Sequence, residues 1–411
     1  MPASRRRLPP FLLPLFVALA PVACDRGGPE PVPTAAKHRA PPPTVTTAKF
    51  DPTALEPDQL RPKGGTGERD AGAQPATDED AKMAKPVRDP VADFVASRDA
   101  KRVEVTARPG TPEWFVQGLE AFRAGDIDPI VANFAIDIEW DAVGSPLEPP
   151  SIGKPAVLSR WEDLLTAIPD MKLHARRIFH RGDLVVMQVV LTGSHKGDFR
   201  GIAATGKPLG AEVLAWVWHD ADGKAKRVRV VYDEAALLSQ MGQLGAAAAA
   251  KIPEVPEGAP EIIGGDEDPA AAKAVRAMLS AGKKAWTLCE TKYCTADMVS
   301  HDVRTGETMT TPEQHREGHD AFFTAFPDAK VTVQDAVSFG PDWVVSFARV
   351  RGTHRGPLGA MPASNRKVEV AMSELLRLSA GKVAETWSYA NGLQLLAAIG
   401  AFQAPAPAAA P

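Results

Sequence analysis

Three blocks of this chain occur twice in the same order. "AIPDMK" at 167–172 answers "AFPDAK" at 325–330, "GSHKG" at 193–197 answers "GTHRG" at 352–356, and "DGKAKRVRVVYDEAALLSQMG" at 222–242 answers "AGKVAETWSYANGLQLLAAIG" at 380–400. The spacing is 158 residues for the first and third blocks and 159 for the middle one, so a single-residue insertion reconciles them. A period of that length is a domain duplication, since solenoid units repeat every 20–50 residues or so. Whatever folds over 106–244 must therefore fold again over 268–402, with 245–267 as a Pro/Gly-rich linker and 403–411 as a tail.

Each copy carries the same alternation of periods. A helix opens it, "PEWFVQGLEAFRAG" from 112 or "PAAAKAVRAMLSAGKKAWTLCE" from 269, with apolar residues three and four apart, as in Phe115, Leu119 and Phe122. Thr111 before Pro112 supplies an N-cap and a first-turn proline. A short strand follows, "DIEWDAV" or "DMVSHDV", then a second helix, "PAVLSRWEDLLTAI" or "PEQHREGHDAFFTAF", which ends at Pro-Asp. Period-two strands separated by "RGD", "PD" and "DADGK" turns complete the unit, and a short apolar helix closes it. Helices first and a meander after them predict an α+β class: two tandem cones, each a curved antiparallel sheet with helices on its concave side. A cone of this kind encloses a small-molecule pocket.

The residues Pro169-Asp170, Gly182-Asp183, Gly193-Ser194-His195, Gly197, Phe199, Gly201-Ile202, Thr205-Gly206-Lys207 and Tyr232-Asp233-Glu234 through Gly242 resemble the SnoaL-like polyketide cyclase or ester cyclase group of the nuclear transport factor two-like superfamily. His301-Asp302, "FPD" at 326–328, "GTHRG" and "LLAAIG" carry the resemblance in the second copy. It implies a proton transfer α to a carbonyl by one carboxyl group in a dry cavity, with Asp233 at the family's acid/base position. The second copy has Asn391 there, and an amide cannot take and return a proton, so that copy is expected to lack the reaction. Asp233 and Asn391 both also read as N-caps of the closing helices. Alternation puts Asp233 on one strand face with Val231, Arg229 and Arg227; that face either lines the cone, giving an anion-binding site, or points outward. Trp216, Trp218, Trp161, His195, Arg229, Asn391, His301 and Trp387 are the candidate ligand contacts, with Asp141 and Asp302 as further polar groups. His195 and His354, present in both copies, equally read as ties for a strand end. No cofactor is expected, and no metal, because no His or carboxylate spacing around the cysteines resembles a zinc site.

The N-terminus sets the compartment. Arg5, Arg6 and Arg7 precede "LPPFLLPLFVALAPVA", a proline-broken apolar stretch that reads as an export signal better than as a membrane span. "PVAC" is similar to a bacterial lipoprotein signal, which implies lipidation of Cys24 and a chain facing the periplasm or cell surface. Residues 25–105 are rich in Pro, Ala, Thr and charge and read as a disordered tether. In an oxidising compartment Cys289 and Cys294 form either a disulfide or two buried thiols. A net charge of −4 gives no electrostatic case for nucleic acid. The partners expected are a small-molecule ligand, the membrane through its lipid anchor, and a second cone, either within the chain as a pseudo-dimer or in a homodimer. Two functions remain: an exported, lipid-anchored binder of a small apolar ligand, or a cyclase/isomerase-type enzyme using Asp233 with an inactive second domain.

Overall fold

The computed structural model describes residues 102–244 and 250–402. The expected signal segment, Cys24 and residues 25–101 of the expected tether lie outside them, whereas residues 102–105 belong to the first domain, with Val103 N donating to Asp126 Oδ2 at 2.8 Å. The first domain runs α1 (Pro112–Arg123), α2 (Asp128–Ala132), β1 (Phe134–Ala142), β2 (Ser151–Ile152), α3 (Lys154–Ala167), β3 (Lys172–Arg181), β4 (Leu184–Ser194), β5 (Pro208–His219), β6 (Ala225–Val231) and α4 (Glu234–Met241). The second runs α5 (Pro269–Leu279), α6 (Ala285–Leu288), β8 (Cys294–Asp302), β9 (Glu307–Met309), α7 (Pro312–Ala325), β10 (Lys330–Phe339), β11 (Trp343–Thr353), β12 (Lys367–Ser379), β13 (Lys382–Ala390) and α8 (Gly392–Ile399). Between them β7 (Glu261–Gly264) joins the edge of the first sheet beside β3, so the predicted linker contributes a strand.

The sheet orders are β2-β1-β6-β5-β4-β3-β7 and β10-β11-β12-β13-β8-β9. Both domains are α+β, as expected, but the sheets are mixed. The hairpin-linked strands run antiparallel, whereas β1 pairs parallel with β6 and β8 parallel with β13. Those partners are joined by long connections, which leave strand direction free in a way that tight hairpins do not. The long opening helix expected from 269 also breaks up. Gly282 takes φ +58° and the chain passes through a 3-10 turn and α6 into a π turn over Cys289–Tyr293. That wide turn brings the Cα atoms of Cys289 and Cys294 to 4.7 Å, and the two are disulfide-bonded.

The repeated blocks perform the same structural task twice. Asp170 accepts from Ser194 N at 2.8 Å, and Asp328 accepts from Thr353 N at 2.7 Å, tying each second helix to the end of a strand. The amides of Gly197 and Gly356 donate to the carbonyls of Ala167 and Ala325. A Cβ at either glycine would collide with the Thr166 or Thr324 carbonyl, so this close approach requires the glycine. His195 and His354 are fully buried beside it. Nδ1 of His195 accepts from Thr205 N at 3.3 Å, and Nδ1 of His354 from Ser364 N at 3.2 Å. Both histidines pin a loop, and burial lowers the pKa of each, so they stay neutral.

Each sheet is covered on both faces. One face of β3–β6 looks toward α1 and α3; the other shares a single buried cluster with the second sheet, including Phe179, Val186, Leu214 and Trp216 from one domain and Phe339, Trp343, Phe347, Trp387 and Tyr389 from the other. Gln188 Nε2 donates to Tyr389 Oη at 2.9 Å and Trp216 Nε1 to Ser373 Oγ at 3.3 Å across this contact.

Candidate functional site

The first domain encloses a cavity of about 510 Å³. Strand alternation builds its floor. Met187, Ala215, Val230 and Ala142 stand side by side in register across β4, β5, β6 and β1, all pointing to the α1/α3 side. Trp114, Phe115 and Leu119 of α1 and Trp161 and Leu164 of α3 form the opposite wall, and Trp140 packs edge-on to Trp161 at 5.7 Å. The Trp161 indole N–H is buried with no hydrogen-bond partner among the described residues.

One end of this apolar chamber is ionic. Arg160, Arg200, Glu148 and Tyr232 line it together. Arg160 Nη1 lies 2.8 Å from Glu148 Oε2, and Arg160 Nη2 donates to Pro149 O at 2.7 Å. Arg200 pairs with the same carboxylate from the Asp198–Gly201 turn, in which it adopts φ +56°. A bulky residue in the left-handed region carries strain, and such strain collects at functional sites. Two guanidinium groups share the Glu148 carboxylate, and Glu234 lies close enough to act on both of them electrostatically. Burial lowers the pKa of both arginines, which is the electrostatic signature of cations lacking water. Burial and the nearby Glu234 raise the Tyr232 phenol, so it is a neutral donor. The guanidinium N–H groups and the Tyr232 hydroxyl give this end of the cavity hydrogen-bond donors for a ligand oxygen.

Asp233 is elsewhere. It is absent from the cavity lining and lies where α4 and α8 meet by their N-termini. Its Oδ1 accepts from Ala235 N at 3.0 Å and from Gly392 N, across the domain boundary, at 2.8 Å. Asn391 answers: its Oδ1 accepts from Leu393 N at 3.1 Å and from Glu234 N at 3.3 Å, and its Nδ2 donates to Glu234 Oε2 at 2.9 Å. Each residue caps its own helix and its neighbour's. Burial pushes the Asp233 carboxyl up to about 6 even though Arg304 and the two N–H bonds favour its charge. The expected cap is what it forms, twice over, and the carboxyl expected as the catalytic acid/base stands outside the cavity lining.

The other candidate ligand contacts fall on the same outer face. Arg229 pairs with Asp335 at 2.8 Å and stacks over Phe347 at 3.7 Å. Trp218 stacks on Trp216 at 5.8 Å, and His301 on Trp387 at 5.2 Å, with His301 Nε2 2.9 Å from Glu385 Oε1. Trp216, Arg229, Trp387 and Asn391 thus hold domain to domain, Trp218 and His301 pack beside them within their own domains, and His195 pins its loop; none lines the cavity. Their alternation was right and their face was wrong. Asp302 points to the inner side of the second sheet, where it pairs with Arg304 at 2.6 Å. Arg160, Arg200 and Glu148 were not singled out from the sequence, and Tyr232 only as part of the family motif; the Phe-Arg-Gly turn beside the repeated His was the available signal. Trp161, flagged as a pocket wall, is one.

Two matches to the family model of the SnoaL-like polyketide cyclases cover residues 115–241 and 272–399, more than half of the chain, and the chain belongs to that family. Its class is therefore one of small-molecule binding or cyclase/isomerase-type chemistry in a cone. No protein of curated function matches the chain by sequence. Among solved structures it is similar to a protein assigned to the SnoaL-like polyketide cyclases from Jannaschia sp. CCS1, at 25% identity, covering 34% of this chain and 100% of that one, with TM-score 0.30. It is also similar to a ketosteroid isomerase-like protein from Catenulispora acidiphila, at 24% identity, 32% and 93% coverage and TM-score 0.26. TsrD from Streptomyces laurentii matches at 20% identity, 33% and 100% coverage and TM-score 0.28.

Proposed function

We propose that the first domain is the binding domain of an exported, lipid-anchored protein, and that it takes a small, largely apolar molecule carrying one acidic oxygen. The observation that carries this reading is the join between the apolar 510 Å³ chamber and the Arg160–Glu148–Arg200 end. A greasy wall supplies affinity and a few polar groups fix orientation. The two domains act as an intramolecular pseudo-dimer, and the disulfide and the "PVAC" segment both fit export with an anchor at Cys24.

The test uses 1-anilinonaphthalene-8-sulfonate, an apolar anion of suitable size, as the probe. Saturable fluorescence enhancement is expected. Ala215→Trp, which fills the floor, abolishes it, and Arg200→Met weakens it several-fold. Probe binding unchanged in Ala215→Trp would place the ligand elsewhere.

A cyclase-type activity is the second reading. The two guanidinium groups and the Tyr232 hydroxyl favour it, because they stand where an enolate oxygen would develop charge. Its proton acceptor is not Asp233. Exchange of α-deuterium from a cavity-bound 1,3-diketone, lost in Arg200→Met and retained in Asp233→Asn, is the expected signature.

A further inference from the structure

The same floor exists in the second domain with different chemistry. Met187, Ala215, Val230 and Ala142 occupy one row across the first sheet. The corresponding row, fixed by the strand register of β11, β12, β13 and β8, reads Ser346, Glu374, Ser388 and Asp302. Their neighbours Phe347, Leu375 and Trp387 lie in the domain–domain cluster, so alternation turns this row to the inner face. Two residues along each strand, on the same face, Thr386 and Ser300 stand where the first domain has Val228 and Trp140. The polar belt crosses the sheet between apolar residues, with Met372 on one side of Glu374 and Leu376 on the other, both buried.

Most of these groups are satisfied. Asp302 is held by Arg304 through Nε at 3.0 Å and Nη2 at 2.6 Å. His315 donates from Nδ1 to Thr311 O at 2.8 Å, so its Nε2 accepts the Ser300 hydroxyl at 2.9 Å. Glu374 and Ser346 differ. Glu374 is 8% exposed; it accepts from Ser388 Oγ at 3.1 Å, and among the described residues no Lys, Arg or His forms an ion pair with it. Ser346, directly opposite on β11, is 1% exposed and its hydroxyl has no partner among the described residues. Burial drives the Glu374 carboxyl up to about 7 against the Ser388 hydrogen bond, so an incoming cation would find a carboxylate with no counter-charge among the described residues. A buried carboxyl without a counter-ion beside an unpartnered hydroxyl is expensive to keep.

We propose that the inner face of the second domain is a second ligand site, separate from the apolar chamber of the first, which takes a compact primary or secondary amine as its ammonium ion. The nitrogen sits against the Glu374 carboxylate, and its N–H groups are accepted by the hydroxyls of Ser346 and Ser388. A quaternary ammonium fits poorly, because the site offers hydrogen-bond acceptors rather than a cage of aromatic faces.

The test is thermal denaturation of the full chain at pH 8.5 with n-propylammonium chloride, against 1-propanol, tetramethylammonium chloride and NaCl at matched concentrations. Propylammonium is expected to raise the midpoint saturably, with a dissociation constant on the order of millimolar or tighter, and the other three are not. Glu374→Gln is a near-isostere and should weaken the effect at least tenfold; Ser346→Ala should weaken it a few-fold. Anilinonaphthalene sulfonate binding to the first domain, unchanged in both variants, verifies that they are folded. The proposal is overturned if propylammonium has no saturable effect, if NaCl or propanol matches it, or if Glu374→Gln responds as the wild type does.

Discussion

Replacing Glu374 with Gln should change how the stability of the protein depends on pH. The carboxyl is buried with one serine hydroxyl for company, and its pKa stands at about 7 against an ordinary 4.5. A pKa raised in the folded state means that folding favours the neutral acid. The full stability is present below the ordinary value and is lost as pH rises through 7. The displacement corresponds to about 3 kcal/mol, at ~1.4 kcal/mol for each pH unit. Most of that loss should appear between pH 5 and pH 8.5. The glutamine side chain has almost the same shape and no charge to bury, so the variant should escape it. Asp233 also carries a raised carboxyl, at about 6, and weakens the protein over an overlapping range, but it does so in both proteins and cancels in their difference. Urea denaturation followed by tryptophan fluorescence at the two pH values gives that difference directly. The variant should gain roughly 2–3 kcal/mol on the wild type between them. Parallel stability–pH profiles for the two proteins would refute the claim that Glu374 is buried without a counter-charge, and with it the premise of the second site.

Asp233→Ala removes one acceptor from two helix N-termini and should cost about 1–3 kcal/mol, with anilinonaphthalene sulfonate binding unaffected; Asp233→Asn should recover most of the stability. Loss of probe binding in Asp233→Asn would return Asp233 to the site. Replacing Cys289 and Cys294 together by Ser opens a very short loop, so chain entropy predicts a loss of only about 2 kcal/mol, and peptide mapping of unreduced protein should find both cysteines unlabelled by iodoacetamide. Cys24→Ala should leave the membrane pellet for the soluble fraction; a variant that still sediments with membranes refutes the anchor.

The fold was legible because the chain writes it twice. Pro-Asp at each helix end, the paired His and Gly, and Thr111 before Pro112 all do locally what their chemistry implies. The caps at Asp233 and Asn391 were legible for the same reason, though not their crossing between domains, since that depends on two helix ends meeting in space. The cavity lining was misread by one strand face. Trp216, Trp218 and Trp387 drew attention as pocket walls, yet the large aromatics fill the sheet-to-sheet contact and the chamber floor is Ala, Val and Met. The warning lay in "LVVMQVVL" on β4, eight consecutive buried residues: a continuous apolar run means a strand covered on both sides, so an aromatic face is as well explained by a neighbouring sheet as by a ligand. Glu374 escaped notice because its meaning is comparative. It matters only when set against Ala215, and the inserted residue between the copies hides that correspondence until the strand register is known.

Duplication explains why the two interiors could diverge. The outer faces of the sheets are committed to each other through the aromatic cluster, the Arg229–Asp335 pair and the crossed caps, and both His loops are fixed in the same way. The frame therefore does not depend on what either inner face carries. If the second domain served only to support the first, an apolar row at 346, 374, 388 and 302 would stabilise it better, because each polar side chain turned inward must recover its lost hydration from a partner. Asp302 does so through Arg304 and Ser388 through Glu374. Ser346 does not, and Glu374 recovers only part. Within this row the deficit falls on two facing side chains of one register pair, which a ligand with N–H donors and a positive charge would complete.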